Sequence, residues 1–456
     1  MPTGTFSDGS ERPITTSVTW SSSAPDVATV DNVNSGLATG LQVSAQPVTI
    51  TATDPTTNVS GTAQLTVIAK SAGFVTLVSE NAAGTGGGNQ ISEWPFAASM
   101  TGQYVAFRSG ATDLVASPAV PLSAPVQVYV RNTCIGALGS CTPSTQMVSV
   151  DNSTPPNAGN DSSPSLGANI SGDGSVVVFD SFATNLAPAA PLPSVFERQI
   201  CGIGLGGCPS STVLESLDDS GTALTSQTPV VSRDGRFVAF AAESDTGLPV
   251  SLRDTCLGAP SGCRPSTTLV SADNSGNATN GTGVPFAVSN GGRYVLFFDN
   301  GTNMPSGGTQ LYIRDTCQQF GGRGGLPQCM PVTTTVSLGN VPPMPITDAG
   351  ELPSMSDDGR YVEFVTANAL VPNDLNGLPD VYIRDTCLQF GIGASFNPGA
   401  VPGCTPRTVL VTVDSTGTPI QLAGNLSISG DGRLVVFDFA DPVTHIVQVA
   451  IGMTGF

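Results

Sequence analysis

Few residues of this chain have the type and spacing that chemistry requires. In "PNDLNGLPDVYIRD", Asp374, Asn376, Gly377 and Asp380 read D-x-N-G-x-x-D. Oxygen ligands at alternate positions, a glycine for the turn and a later carboxylate are what a Ca²⁺ loop needs, although the distal Glu of an EF-hand is missing. The same residues also make a plain Asn-Gly turn, and both readings stand at this point. The corresponding stretches "ASPAVPLSAPVQ", "APAAPLPSV" and "TGLPV" have no such acids.

Other catalytic groups are scarce. His445 is the single histidine, and no G-x-S-x-G elbow accompanies it, so a Ser-His-Asp hydrolase lacks its parts. One imidazole also leaves a His-bound catalytic metal without ligands. A tyrosine nucleophile is the next option, but all six tyrosines (Tyr104, Tyr129, Tyr294, Tyr312, Tyr361 and Tyr382) fall at equivalent positions of a repeat. Repetition makes them structural. Paired carboxylates could hydrolyse glycosides. Yet Asp173, Asp234, Asp254, Asp315, Asp358, Asp385 and Asp431 belong to Asp-Gly turns or to "RDT" phrases. Arg131, Arg198, Arg253, Arg314 and Arg384 recur in the same way and read as packing and pairing along a strand. The expectation is a protein that is not an enzyme and needs no cofactor beyond the calcium just considered.

The ten cysteines fall as five local pairs: Cys134/Cys141, Cys201/Cys208, Cys256/Cys263, Cys317/Cys329 and Cys387/Cys404. Zinc is the rival reading, but the spacing is poor and one histidine is too few. One pair per repeat, at one place in it, favours local disulfides. Each would stabilise by roughly 2–3 kcal/mol in the loop-entropy model. Disulfides imply an oxidising compartment: periplasm, cell surface or outside. The opening "MPTGTFSDGS" has no basic and apolar leader, so a truncated start is expected.

The elements that position these residues come from a repeat. The chain has 456 residues, only 11% charged, with 53 Gly and 36 Pro. No segment keeps an i, i+3, i+4, i+7 apolar pattern, so the fold class is all-β. A phrase of the form Ser-x-Asp-Gly-x-Φ-Val-x-Phe appears six times: "SMTGQYVAF", "SGDGSVVVF", "SRDGRFVAF", "SNGGRYVLF", "SDDGRYVEF" and "SGDGRLVVF". It reads as a hairpin in which Asp-Gly turns between two strands. A third strand ("VQVYVRN", "DVYIRD") and a fourth ("QMVSVD", "TVLVTVD") complete each unit. The last unit lacks its fourth strand, and "FVTLVSE" at 74–80 precedes the first anchor. Borrowing that strand would close a six-bladed β-propeller, which has no free sheet edges.

Residues 71–456 resemble the TolB-type β-propeller repeat, which is specific for the fold and unspecific for function. The resemblance implies protein–protein contacts, although the domain that precedes the TolB propeller has no counterpart here. Residues 1–70, through "VTWSSSAPDVATVD", "GLATG" and "VTITAT", resemble a bacterial Ig-like domain of group 2, incomplete at its N-terminus. Val18 and Trp20 would face the core of this small β-sandwich.

Net charge and hydropathy narrow the partners. The net charge is −19 and Lys70 is the only lysine, so no basic face exists for nucleic acid or anionic lipid. No apolar run is long enough for membrane insertion as a helix. The leading expectation is a non-catalytic, extracytoplasmic binding scaffold with a protein partner. A glycan-binding lectin or carbohydrate-active protein, and a structural surface or matrix component, are the alternatives. Trp94, Phe320, Phe390 and Phe396 are the main loop aromatics. Phe320 and Phe390, both in Cys-bounded loops, mark the expected contact patch.

Overall fold

Short runs of β-branched and aromatic residues, broken every few positions by Gly, Pro, Asp or Ser, fold into strands almost everywhere. The computed structural model describes residues 3–5, 11–13, 18–30, 38–40, 44, 46–67, 77–99, 102–120, 126–135, 137, 141–163, 169–187, 190–200, 210–245, 247–318, 329–338, 353–372, 374–388, 403–412, 422–428, 434–440 and 447–453. Among them the only helical element is a single 3₁₀ turn at Asn290–Gly292. None is long and apolar enough to cross a membrane.

The chain divides into two compact units, 1–76 and 77–456. The first holds β1 (Thr3–Thr5), β2 (Glu11–Pro13), β3 (Thr19–Ser22), β4 (Ala28–Val30), β5 (Ala38–Gly40), β6 (Val48–Thr53) and β7 (Ser60–Leu65). They form a β3-β6-β7 sheet and the hairpins β1-β2 and β4-β5. Ala28, Val48 and Ile50 make its core with Trp20 against them, and Val18 is buried, as the alternation predicts.

The second unit is a series of antiparallel sheets, each ordered as the chain runs. The first is β8–β11 (Ser92–Ala98, Tyr104–Ser109, Gln127–Asn132, Ser144–Met147) and the second β12–β15 (Asn169–Ile170, Val176–Ser181, Ser194–Gln199, Ser211–Leu214). The third is β16–β19 (Ser226–Val231, Phe237–Ala242, Val250–Asp254, Ser266–Leu269) and the fourth β20–β23 (Gly283–Val288, Tyr294–Asp299, Gln310–Asp315, Val332–Thr335). The fifth is β24–β27 (Ser354–Met355, Tyr361–Thr366, Asp380–Asp385, Arg407–Leu410). The last has three strands among the described residues, β28–β30 (Leu422–Ile428, Leu434–Ala440, Val447–Met453). First strands of successive sheets lie next to one another. Four-stranded antiparallel sheets in this series fit the blades of a β-propeller. Trp94, expected in a loop, lies within strand β8, because "SEWPFAA" pairs with β9.

The core lies between the sheets. Every residue of β13, β17, β25 and β26 is buried, which requires cover on both faces. Tyr104, Ala106 and Val130 of the first sheet pack with Val177, Phe179 and Phe196 of the second. Phe237 and Leu252 of the third meet Val295, Phe297 and Tyr312 of the fourth. Tyr294 and Ile313 of the fourth meet Val362, Phe364 and Tyr382 of the fifth. Within a sheet the repeated aromatics face each other across strands, as Phe297 and Tyr312 do with ring centroids 5.7 Å apart.

The repeated anchor is a different turn from the two-residue hairpin that the phrase suggests. The Gly174 N–H donates to the Ser171 carbonyl at 3.0 Å, so serine opens a four-residue turn and glycine closes it at φ +81°. The serine hydroxyl accepts the N–H five residues on, at 3.0 Å from Val176 and at 2.8 Å from Tyr294 in the fourth sheet. Asp173 and Asp358 each accept their turn serine's hydroxyl at 2.7 Å, which fixes the carboxylate inside the turn.

These glycines do more than allow positive φ. A Cβ on Gly174 would stand 2.4 Å from the Tyr104 ring of the preceding sheet. At Gly292 the same distance separates it from the Phe237 ring, and at Gly359 from the Tyr294 ring. Each turn therefore sits flat on the side chain that opens the second strand of its predecessor.

Gly359→Ala combines a strained φ with a ring collision, so we expect a loss of about 2–4 kcal/mol. Gly221→Ala at φ +86°, where a Cβ meets nothing within 4 Å, should cost only about 1 kcal/mol. Urea unfolding of the two variants checks this, and equal losses would show that strain alone matters.

Candidate functional site

The third-to-fourth strand connections, which hold the cysteines, lie at the same end of each sheet as the Ser-x-Asp-Gly turns, because the strands alternate in direction. One network builds this rim. Arg236, which follows the turn, donates to Asp254 at 2.7 and 2.6 Å, and its guanidinium lies 4.9 Å from the Phe237 ring centroid. Arg293–Asp315 and Arg360–Asp385 repeat the pair at 2.9 Å. The same carboxylates accept the N–H of the cysteine two residues on, at 2.9 Å for Cys256, Cys317 and Cys387, while Asn132 does so for Cys134 at 3.0 Å. The intervening threonine donates back to the turn, as Thr255 does to the Arg236 carbonyl at 2.8 Å.

The network puts the first cysteine of each described pair in the left-handed region, with φ of 62°, 64°, 62° and 57° at Cys134, Cys256, Cys317 and Cys387. A non-glycine residue adopts that conformation only when its surroundings hold it there. All four are disulfide-bonded to the expected partners, Cys141, Cys263, Cys329 and Cys404, with Cα–Cα distances of 5.6 to 5.8 Å. Cys201 and Cys208 lie outside the described residues. Asp254, Asp315 and Asp385 stand near these sulfurs in groups that resemble metal sites. The sulfurs are joined in disulfides, so these described groups lack the thiolates of a structural zinc site.

The turns themselves converge. The Gly172 N–H donates to the Arg233 carbonyl at 2.8 Å, and the Asn290 N–H to the Asp357 carbonyl at 3.0 Å. Gly291 N–H meets the Asp234 carboxylate at 3.2 Å, and Arg233 of the third sheet pairs with Asp357 of the fifth. The rim is thus a linked array of turns flanked by disulfide-closed loops whose lengths differ.

The third-strand arginines singled out by sequence act between sheets. Arg198 donates to Thr212 at 2.9 Å, and the Thr212 hydroxyl donates to the Val150 carbonyl of the preceding sheet at 2.6 Å. Arg253–Thr267, Arg314–Thr333 and Arg384–Thr408 repeat this grip on Leu217, Ala272 and Leu338. These arginines therefore link sheets, whereas the sequence placed them along one. Tyr129, Tyr294, Tyr312 and Tyr382 are fully buried, and burial pushes the Tyr312 phenol up to about 12. Asn280, in a glycosylation-type sequon, uses its amide to donate to Thr302 at 2.9 Å. Phe320, Phe390, Phe396, Asp431 and His445 lie outside the described residues.

At the opposite end of the fifth sheet, Asp374 and Asp380 come together. Burial raises the Asp380 pKa, opposed by the Thr412 hydroxyl and the nearby Asn376 amide, with Asp374 adding to the rise. Several buried acids escaped the sequence reading, among them Glu197 in β14. It replaces the aliphatic residue of other third strands, a break in the repeat that could have marked it. Burial first, then Glu215 beside it, push Glu197 up to about 7, against a hydrogen bond from Gln199.

No family model matches the chain, and no curated protein does. Solved structures do. TolB from Acinetobacter baumannii aligns at 13% identity and TM-score 0.39 over 91% of this chain and 75% of that one. A putative TolB from Agrobacterium tumefaciens aligns at 15% identity and TM-score 0.35, over 79% and 90%. A prolyl endopeptidase aligns at 14% identity and TM-score 0.42, over 90% of this chain but 45% of its own. At these values none of them assigns an activity.

Two outcomes follow from the buried charges. Asp315→Ala leaves Arg293, 10% exposed, without its carboxylate and should cost about 3–5 kcal/mol in urea. A loss under about 1 kcal/mol would mean that the clamp is ornamental. Glu197 holds its proton more tightly folded than unfolded, so its contribution is full below about pH 4.5 and is lost as pH rises through about 7. Glu197→Gln should therefore outlast the parent at pH 8, by up to roughly 3 kcal/mol, and match it near pH 4.5. Melting curves across that range check this, and a gap independent of pH would contradict it.

Proposed function

We propose that this chain is a non-catalytic binding scaffold that works outside the cytoplasm, in the periplasm, at the cell surface or secreted, and holds a protein partner at the disulfide rim. The observation that carries this reading is the arginine–aspartate clamp that holds the first cysteine of three described loops, Cys256, Cys317 and Cys387. Rigid anchors carry loops that differ between Cys256/Cys263 ("LGAPSG"), Cys317/Cys329 ("QQFGGRGGLPQ") and Cys387/Cys404 ("LQFGIGASFNPGAVPG"). Constant anchors with variable loops are how scaffolds separate stability from recognition. Disulfides support an oxidising location.

The same reading takes the second unit as a six-bladed ring closed by residues 74–80. In support, Val78 packs against the first sheet's core and Glu80 pairs with Arg131 there. The Asn81 side chain accepts the Thr85 N–H at 3.0 Å, as Asp273 accepts Asn277 at 2.8 Å just after the third sheet's fourth strand. The first unit is taken as an Ig-like module in front of the ring, on the strength of its motifs.

The experiment replaces residues 318–328 and 388–403 with "LGAPSG" in the full chain. Parent and variant are titrated against purified bacterial envelope proteins and cell-wall polysaccharides. We expect saturable protein binding by the parent, lost in the variant with a melting temperature within a few degrees of the parent. Polysaccharide binding would turn the reading toward a lectin. Protein binding that survives the exchange would move the contact away from this rim.

A further inference from the structure

We propose that the loop between β25 and β26 binds a divalent cation, with calcium the ion its oxygen donors fit. Asp374 and Asp380 are 4% and 0% exposed. Each carboxylate has one engaged oxygen. Asp374 Oδ2 accepts the Tyr382 hydroxyl, and Asp380 Oδ1 accepts the Thr412 hydroxyl at 2.6 Å. The other oxygen of each, Asp374 Oδ1 and Asp380 Oδ2, is buried with no hydrogen-bond partner. Neither carboxylate belongs to any ion pair among the described residues, whereas Asp254, Asp315 and Asp385 at the other end of the sheets all face arginine. Two adjacent buried carboxylates without a cation are costly, and a hard cation is the group that accepts two such oxygens at once.

A comparison within the molecule sharpens this. Asp380 opens the third strand of its sheet, opposite Thr366, as Gln127 does opposite Ser109 and Gln310 opposite Asp299. Gln127 and Gln310 each accept a serine hydroxyl, from Ser149 and Ser337, at 2.6 Å, the same bond that Asp380 accepts from Thr412. The remaining corner of Gln127 is an amide nitrogen that donates to the Gly159 and Asp161 carbonyls. In Asp380 that corner is an oxygen, which cannot donate when ionised. A bound cation supplies the positive partner that the amide hydrogens supply elsewhere. The loop also opens to water, with Leu375 and Leu378 86% and 38% exposed, so solvent can complete the six to eight ligands calcium takes.

The test uses the full chain stripped with EGTA. Calcium is titrated by calorimetry, and melting is followed in calcium, magnesium and EGTA. We expect one site at this loop, a rise in melting temperature of several degrees with calcium, and affinity at least tenfold weaker in Asp374→Asn and Asp380→Asn. Asp380→Gln, which copies Gln127, should melt in EGTA at or above the parent and no longer respond to calcium. The proposal is overturned if the parent neither binds calcium nor responds to it. It is equally overturned if both Asn variants bind calcium as the parent does. A parent that melts alike in EGTA and calcium while matching Asp380→Gln would mean that a proton, not a cation, neutralises the pair.

Discussion

A missing Cβ sets how these sheets stack. At Gly174, Gly292 and Gly359 the turn lies so close to the ring in the preceding sheet that any side chain would occupy the ring's space. The contact fixes where a sheet sits on its neighbour, and the positive φ that permits it also closes the turn. Conformation and packing thus make the same demand on one residue. The valine at 176 is the exception that fits: it is narrower than a ring, and a Cβ on Gly235 would meet it at 3.0 Å. From this contact follow the buried second strands, the inter-sheet cores and the convergence of the turns at one rim.

The second constraint is electrostatic. The chain has few charges, and many of its arginines are buried between or within sheets rather than solvated. Arg236, Arg293 and Arg360 tie turn to strand, while Arg198, Arg253, Arg314 and Arg384 reach through threonine to the neighbouring sheet. Buried pairs of this kind add little net stability compared with apolar packing, but an unmatched register leaves them unpaired and is heavily penalised. They select one stacking of near-identical sheets over others. With these cations internal, the surface keeps the acidic excess, which disfavours polyanionic partners.

Much of this was legible in the sequence, because the signals were local and repeated. The Ser-x-Asp-Gly phrase located the turns, the alternation located the strands, and the spacing of Cys256/Cys263 and its counterparts located the disulfides. What stayed hidden depends on residues tens of positions apart. The pairing of Gly359 with Tyr294 and the grip of Thr333 on Ala272 cross from one sheet to the next, and no pattern within a single repeat announces them. The turn type was misread because Asp-Gly is the usual two-residue hairpin signal, and the serine's part emerges only from its bond to the N–H five residues on. Trp94 was misread because Pro95 beside it suggests a loop, yet β8 accommodates that proline with irregular pairing. Of the loop calcium motif, the residue types were visible, while the burial of Asp374 and Asp380 was not.

If the turn contacts hold the sheets to one another, the sheets behave as one cooperative body. Native-state hydrogen exchange tests it at the amides bound to the turn serines, those of Tyr104, Val176, Phe237, Tyr294 and Tyr361. These amides, lying in five different sheets, should exchange with one common free energy close to that of global unfolding. If they exchange at separate and lower free energies, sheet by sheet, each sheet is stable by itself and the turn contacts are incidental.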